Sequence, residues 1–388
     1  MRVVLKIIMK STREFVTELL KKADVTIGMP AQAGGSRPWD IVVHDERLYN
    51  RVISYGTLGL GEAYMEGWWD CEALDVFVYK VFAAHLDKAV KINFASVSII
   101  AKAFLFNLQT SKKAFNIGET HYDLGNDLYE AMLDKRMVYT CGYWSGNPPA
   151  QGLDEAQEAK LNLVCKKIGL TSGDHILDIG CGWGSFAKFA AEKYGASVVG
   201  ITVSREQAAL ARERCAGLAV EIRVCDYREV HEQFDHIISL GMFEHVGVKN
   251  YRAYFETANR CLKNDGLFLL HTIGYKLSQL TSDPWIEKYI FPDGALPSVA
   301  QVGKATEGLF IMEDWHNFGA DYDKTLMAWF KNFDAAWPAL RAKYDDRFYR
   351  MWRYYLLTCA GIARVREMQL WHIVLSKDGV PGGYTSVR

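Results

Sequence analysis

The sequence predicts an α/β protein with a doubly wound, mainly parallel sheet, preceded by a smaller, mostly helical N-terminal domain. Three observations predict it. From residue 175 onward, short apolar runs alternate with segments of helical period. The first run ends in a glycine-rich turn, "ILDIGCGWGS" (Ile176–Ser185), which opens a helix. The first hundred or so residues lack this alternation and turn helical from Asp75. Strand and helix in alternation place helices on both faces of a parallel sheet.

The elements follow in chain order. "YGTLGLGEAYMEGWWD" (Tyr55–Asp70) is rich in glycine and aromatics and reads as turns around a small core. "INFASVSIIAKAFLFNL" (Ile92–Leu108) is the longest apolar stretch, broken by Lys102. It reads as an amphipathic helix packed on a core or a second subunit, too short and interrupted for a membrane span. A polar linker leads into the second unit, giving an N-terminal domain 1–107, a linker 108–120 and a larger domain 121–388. There, "HILDIG" is a strand and "SFAKFAAEKY" a helix, then "ASVVGIT" a strand and "SREQAALARERCAG" a helix capped by Ser204. "AVEIRVCD", "FDHIISLG" and "GLFLLHTI" are further strands, with the helix "KNYRAYFETANRCL" between the last two. The segment from Tyr275 to Asp321 is too long for a simple connection and reads as a cover with an apolar inner face.

A chain of 388 residues with 49% hydrophobic and 23% charged residues can bury two cores. Its 45 Lys+Arg against 46 Asp+Glu leave no electrostatic footprint for nucleic acid. The 8 cysteines show no CxxC pair or zinc spacing, so we expect reduced thiols, a cytoplasmic location and no metal site. The N-terminus "MRVVLKIIMK" lacks the length and cleavage site of a secretory signal.

Ligands of such sheets bind outside the carboxyl ends of the strands. Three ligands compete for the glycine turn. A P-loop requires Gly-Lys-Ser/Thr, which is absent. A nicotinamide fingerprint requires G-x-G-x-x-G and an acid after the next strand, but Ser185 stands at its third position and that strand ends "GITVS". The third is S-adenosylmethionine, held by an acid and a G-x-G-x-G turn. Asp178 would orient its ammonium, while Gly180, Cys181, Gly182 and Gly184 admit its amino-acid portion. Thr202, Ser204 and Gln207 follow the next strand with hydroxyls and an amide. Asp226 and Tyr227 follow the third, suited to an adenine amino group and ring.

Further segments carry a family resemblance: "HYDLGNDLYEAML", "YTCGYW", "LDIGCGWGS", "VVGITVSREQ", "GMFEHVG", "FLLHTIG", "DPWIEKYIFPDGALPS", "EDWHNFGADYDKTLMAW" and "YYLLTCAGIAR". The chain resembles the cyclopropane-fatty-acyl-phospholipid synthases, relatives of the mycolic acid cyclopropane synthases. The N-terminal unit looks like the extra domain of the phospholipid enzymes. The resemblance implies a class I methyltransferase fold, a membrane phospholipid with an unsaturated acyl chain as substrate, transient peripheral contact with the inner membrane face, and a homodimer formed through the N-terminal unit. It implies cofactor contacts at Tyr139 and Thr140 as well as at the positions above. The family usually has Ser at position 140, and Thr keeps the hydroxyl. It also implies a bound bicarbonate at Cys141, Glu244, His271, Ile273 and Tyr322, with backbone groups used at the cysteine and isoleucine. Cys359 matches a cysteine sometimes assigned to the active site, although a small buried apolar role fits it better.

The implied reaction adds a methylene across a cis double bond. The alkene attacks the sulfonium methyl, a carbocation forms, and a proton leaves the transferred carbon as the ring closes. The site must be dry, must offer aromatic faces to a cation, and needs one base. Tyr139, Tyr143, Trp144, Phe243, Trp285, Tyr289, Phe291 and Phe318 are the aromatics near the expected site. From the residues alone, Glu244 and His271 are the base candidates. The resemblance makes them holders of bicarbonate, which requires a protonated Glu244 or a charged His271. Methyl addition without ring closure, or methylation of a soluble small molecule, uses the same nucleoside pocket. The N-terminal unit is expected to serve lipid access or pairing, so a chain starting near Lys112 should still bind cofactor.

Overall fold

The computed structural model describes residues 2–28, 37–86 and 125–388, with side chains from residue 12. The stretch Ile92–Leu108 and the linker 108–120 lie outside the described residues.

The larger unit is built on a seven-stranded sheet. Its strands are β4 (His175–Ile179), β5 (Ser197–Thr202), β6 (Val220–Val224), β7 (Phe234–Leu240), β8 (Leu262–Tyr275), β9 (Ile311–Asn317) and β10 (Met368–Ser376). The order is β6-β5-β4-β7-β8-β10-β9, with parallel pairing from β6 to β8 and antiparallel pairing of β10 with both neighbours. This is the expected mainly parallel, doubly wound sheet. The inner strands β4, β5 and β10 are buried almost throughout because both faces are covered, whereas the edge strands β6 and β9 carry exposed polar residues. Alternate residues serve opposite cores. Ile176, Val198, Ile238 and Leu269 meet Leu161, Val164, Phe186 and Ala190 of α5 (Leu153–Lys167) and α6 (Ser185–Tyr194). Leu177, Val199, Ile237 and Leu270 meet Tyr254, Phe255 and Val302 of α8 (Tyr251–Cys261) and α10 (Val299–Thr306). Helix α7 (Arg205–Arg214) packs on β5 and β6.

The N-terminal unit has α1 (Arg2–Lys22), α2 (Arg47–Met65), α3 (Leu74–Ala83) and a small sheet of β1 (Ile27–Gly28), β2 (Ile41–Val43) and β3 (Trp69–Asp70). The expected turns at Tyr55–Met65 are instead part of α2, kinked at Gly56. The glycines of that stretch serve close packing: a Cβ on Gly61 would overlap the ring of Trp285. Helices α11 (Asp321–Leu340) and α12 (Asp346–Arg364) share one core with this unit and with α4 (Asn126–Met132). The described N-terminal residues therefore pack as part of the same body as the C-terminal helices.

The segment Tyr275–Asp321 is only partly a cover. Its α9 (Pro284–Tyr289) lies against α2, where Glu62 accepts hydrogen bonds from Lys288 (2.6 Å) and Tyr289 (2.9 Å). Its end forms the edge strand β9. Among the described residues, no helix is long and apolar enough to cross a membrane and no side-chain group is arranged to hold a metal ion.

Candidate active site

A cavity opens at the carboxyl ends of β4, β5, β6 and β7. It is lined by Tyr139, Thr140, Asp178, Gly180, Cys181, Gly182, Thr202, Ser204, Gln207, Asp226 and Tyr227. The strand ends converge there because the chain crosses from strand to helix at each of them. Gly184 is not on this wall. Its α-carbon faces Cys215 and Ala211, so it serves the packing of α6 on α7. Gly182 has φ +53° and nothing within 4 Å of an added Cβ, so its open side is the cavity.

Asp178 closes the end of β4. It is 2% exposed, and its Oδ2 has no hydrogen-bond partner among the described residues. Burial raises its pKa to about 7, opposed by the charge of Lys160. A buried, unpaired carboxylate oxygen costs free energy unless a donor reaches it. An ammonium in the cavity would be that donor, so the residue fits the amino-acid end of S-adenosylmethionine. Thr202, Ser204 and Gln207 form one network: Ser204 Oγ accepts from Gln207 N–H (3.2 Å), and Thr202 Oγ1 donates to Gln207 Oε1 (3.0 Å). Ser204 is thus the helix cap, and it holds the other two at the cavity wall. Asp226 accepts from the backbone N–H (3.0 Å) and the guanidinium (2.9 Å) of Arg228, whose side chain also lies over the Tyr227 ring.

The segment carrying Tyr139 to Ser145 is clamped from α11. Asp321 accepts from Trp144 N–H (2.7 Å) and Ser145 Oγ (2.8 Å), and Thr325 Oγ1 accepts from Gly142 N–H (3.1 Å) and Trp144 Nε1 (2.9 Å). Lys160 donates to Thr140 Oγ1 (2.7 Å), and Gln157 to the Thr140 carbonyl (2.7 Å). Both are fully buried on α5. Burial lowers the Lys160 pKa to about 8. Neither residue stands out in the sequence, because a Lys and a Gln on a helix read as solvent-facing.

None of the five expected anion residues lines the cavity itself; Glu244 holds Ile273, Tyr322 lies near Glu244 and Cys141, and the His271 ring meets His372 and Phe318. Glu244, in a 3-10 turn after β7, is 7% exposed. Its Oε1 accepts from Ile273 N–H at 2.6 Å, while Oε2 is buried without a partner among the described residues. Burial raises its pKa to about 7. The Ile273 amide is therefore engaged in holding Glu244. Tyr322 is buried at the start of α11, near Cys141, Glu244, Tyr139 and Cys359, and burial keeps its phenol protonated. His271 is 1% exposed and neutral, its pKa pushed well below the usual value by burial and by Lys160. Burial thus favours, of the two arrangements the chemistry allows, a neutral histidine with a protonatable Glu244. An unpartnered buried Oε2 with the Tyr322 phenol nearby fits a small oxyanion that can also share a proton.

Cys141 is fully buried and its thiol is held protonated by burial. Cys359, on α12, is pushed up to about 12 by burial, so it is a neutral thiol at ordinary pH. Around Tyr139 stand Trp329 (ring centroids 5.1 Å), Phe291 (6.5 Å) and the Tyr355 hydroxyl (3.0 Å). Of the other expected aromatics, Phe318 meets the His271 ring (centroids 6.2 Å), and the rest pack away from Tyr139. Phe243 stacks on Tyr251 in the sheet core, Tyr143 and Phe318 pack on each other, and Trp285 meets Tyr354 under the N-terminal unit.

Residues 109–373 match the family model for mycolic acid cyclopropane synthetase. The chain is 52% identical to the cyclopropane-fatty-acyl-phospholipid synthase of Escherichia coli K12 over 371 residues, covering 96% of this chain and 94% of that one. It is 31% identical to a tuberculostearic acid methyltransferase of Mycobacterium tuberculosis, over 95% of this chain and 90% of that one. Among solved structures, the cyclopropane synthase MmaA2 of Mycobacterium tuberculosis superposes with a TM-score of 0.64 at 30% identity, covering 68% of this chain and 98% of that one. The mycolic acid cyclopropane synthase CmaA1 complexed with SAH and CTAB gives 0.63 at 32% identity, covering 68% and 98%. These matches, with the sheet order and the cavity at its strand ends, show that the chain belongs to the cyclopropane synthase family of S-adenosylmethionine-dependent methyltransferases.

Proposed function

We propose that this enzyme transfers a methylene from S-adenosylmethionine to the cis double bond of an unsaturated acyl chain carried by a membrane phospholipid, with bound bicarbonate as the base. The observation that carries the substrate is the extent of the similarity. The match to the Escherichia coli phospholipid enzyme runs through the N-terminal unit, whereas the match to the solved mycolic acid enzymes covers 68% of the chain.

When bound, S-adenosylmethionine supplies an electrophilic methyl and bicarbonate supplies a base. Asp178 pairs with the ammonium, the Gly180–Gly182 turn lets the methionine portion approach, and Asp226 and Tyr227 meet the adenine. Thr202, Ser204 and Gln207 hold the portion between. Tyr139 and its aromatic neighbours keep water from the cation, each facing ring contributing about 0.5–2 kcal/mol. Glu244, with a pKa near 7, shares a proton with the anion rather than repelling it. Tyr322 and neutral His271 donate to the anion without adding positive charge beside a sulfonium. The thiols of Cys141 and Cys359 stay protonated and take no covalent step. The N-terminal unit, residues 1–107, serves membrane contact and homodimer formation at the cytoplasmic face.

Release of S-adenosylhomocysteine on adding vesicles tests this reading. Unsaturated phospholipid should support turnover and saturated phospholipid should not. Carbon-dioxide-free buffer should lower the rate, and added bicarbonate should restore it. Full activity without bicarbonate would overturn the base, and release independent of unsaturation would overturn the substrate.

A further inference from the structure

Strand β10 places three histidines in one row across the antiparallel edge of the sheet. His372 is paired in register with His271 on β8 and with His316 on β9. His271 Nδ1 and His372 Nε2 are 2.9 Å apart, and both rings are buried, at 1% and 0% exposure. Nothing in the reaction chemistry or the family resemblance gives His372 a role. We propose that His372 is a positioning residue, donating from Nε2–H to His271 Nδ1 and so fixing the His271 tautomer whose Nε2–H donates to the anion. The proposal rests on the bicarbonate reading.

The argument begins with charge. Lys160 and Lys167 act on His372 from α5, His316 acts from β9 and His271 from β8, and Lys160 also acts on His271. Among the described residues, no carboxylate accepts a hydrogen bond from either ring. Buried beside lysine ammonium groups, both imidazoles stay neutral, with one ring hydrogen each. The 2.9 Å contact then has two forms. If His271 donated, His372 would carry its hydrogen on Nδ1, which is buried without a partner among the described residues. If His372 donates, that Nδ1 is a bare acceptor. Orphaned buried N–H groups are rarer than under-satisfied acceptors, which selects the second form. The same form leaves His271 with its hydrogen on Nε2, the nitrogen that His372 does not occupy. An anion site needs that donor. With the opposite tautomer a lone pair would meet the anion. Antiparallel register and site chemistry thus require the same arrangement.

The test uses full-length protein with 15N-labelled histidine, saturated with S-adenosylhomocysteine and bicarbonate. Long-range 15N–1H spectra, assigned by loss of signals in His271→Gln, report which His271 nitrogen is protonated. We expect Nε2–H in the wild type and in His372→Gln, whose amide N–H can still donate, and mixed tautomers in His372→Phe. In turnover, His372→Phe should raise the bicarbonate concentration for half-maximal rate about tenfold, by analogy with lost outer-shell partners of ligating histidines. The Michaelis constant for S-adenosylmethionine should stay unchanged, and His372→Gln should lie within about threefold of the wild type. A wild-type His271 protonated on Nδ1 overturns the proposal, as does a folded His372→Phe with the wild-type bicarbonate requirement. If His372→Phe does not fold, the wild-type and His372→Gln spectra still decide. A wild type indifferent to bicarbonate would refute the base reading instead, while the tautomer is read separately.

Discussion

Replacing Glu244 with Gln should make the apo protein relatively more stable at high pH while removing activity. In the unfolded chain a glutamate ionises near 4.5, but burial of this one raises its pKa to about 7. Between those values the folded state keeps a proton that the unfolded chain has lost. Stability therefore falls as pH rises through that window and levels off above it. At 1.36 kcal/mol per pKa unit, the full loss is about 3 kcal/mol. Gln keeps the acceptor for the Ile273 amide and carries no ionisable group. The difference in unfolding free energy between the Glu244→Gln variant and wild-type protein should shift by about 3 kcal/mol in favour of the variant from pH 4.5 to 8. Urea denaturation of both proteins at pH 5, 6, 7 and 8, without ligands, measures it. A difference independent of pH would show that the carboxyl is not buried and unpaired as described.

Three further outcomes follow from the same geometry. Gly182→Val should abolish S-adenosylhomocysteine binding by calorimetry, because the side chain enters the cavity, while the positive φ costs about 1–2 kcal/mol of stability; wild-type affinity would remove the turn from the cofactor site. Binding of S-adenosylhomocysteine at pH 6 should release up to about one proton, fading by pH 8, as its ammonium ionises Asp178; calorimetry in buffers of differing ionisation enthalpy reads this, and Asp178→Asn should lose it. Gly61→Ala should force Trp285 and α9 away from α2 at about 1–3 kcal/mol, lowering turnover on vesicles with cofactor affinity intact; unchanged turnover would disconnect the N-terminal unit from the acyl cover.

The parallel half of the sheet was legible because each strand is an apolar run ending in a glycine or a cap. Ser204 and the Gly180–Gly182 turn announce their positions locally. Strand β9 is not legible in this way: "IMEDWHN" is an edge strand without a regular apolar pattern, whose Asp314 is buried in its pair with Lys167 and whose His316 packs on Phe318. The glycines of Tyr55–Met65 read as turns because sequence does not say that Trp285 will press against Gly61. Lys160 and Gln157 were missed because their burial depends on Thr140 and Asp178, brought there by tertiary packing. His372 lies 101 residues from its partner and only the antiparallel register joins them.

Ring closure requires the transferred methyl to lose one hydrogen. Turnover of unsaturated phospholipid vesicles with S-adenosylmethionine bearing a fully deuterated methyl group measures this directly, by mass and proton spectra of the product acyl chains. Cyclopropanation should remove the vinyl signals, produce a cyclopropane ring and retain two of the three deuterons. Retention of all three, with a methyl branch, would contradict ring closure and the role given to the base.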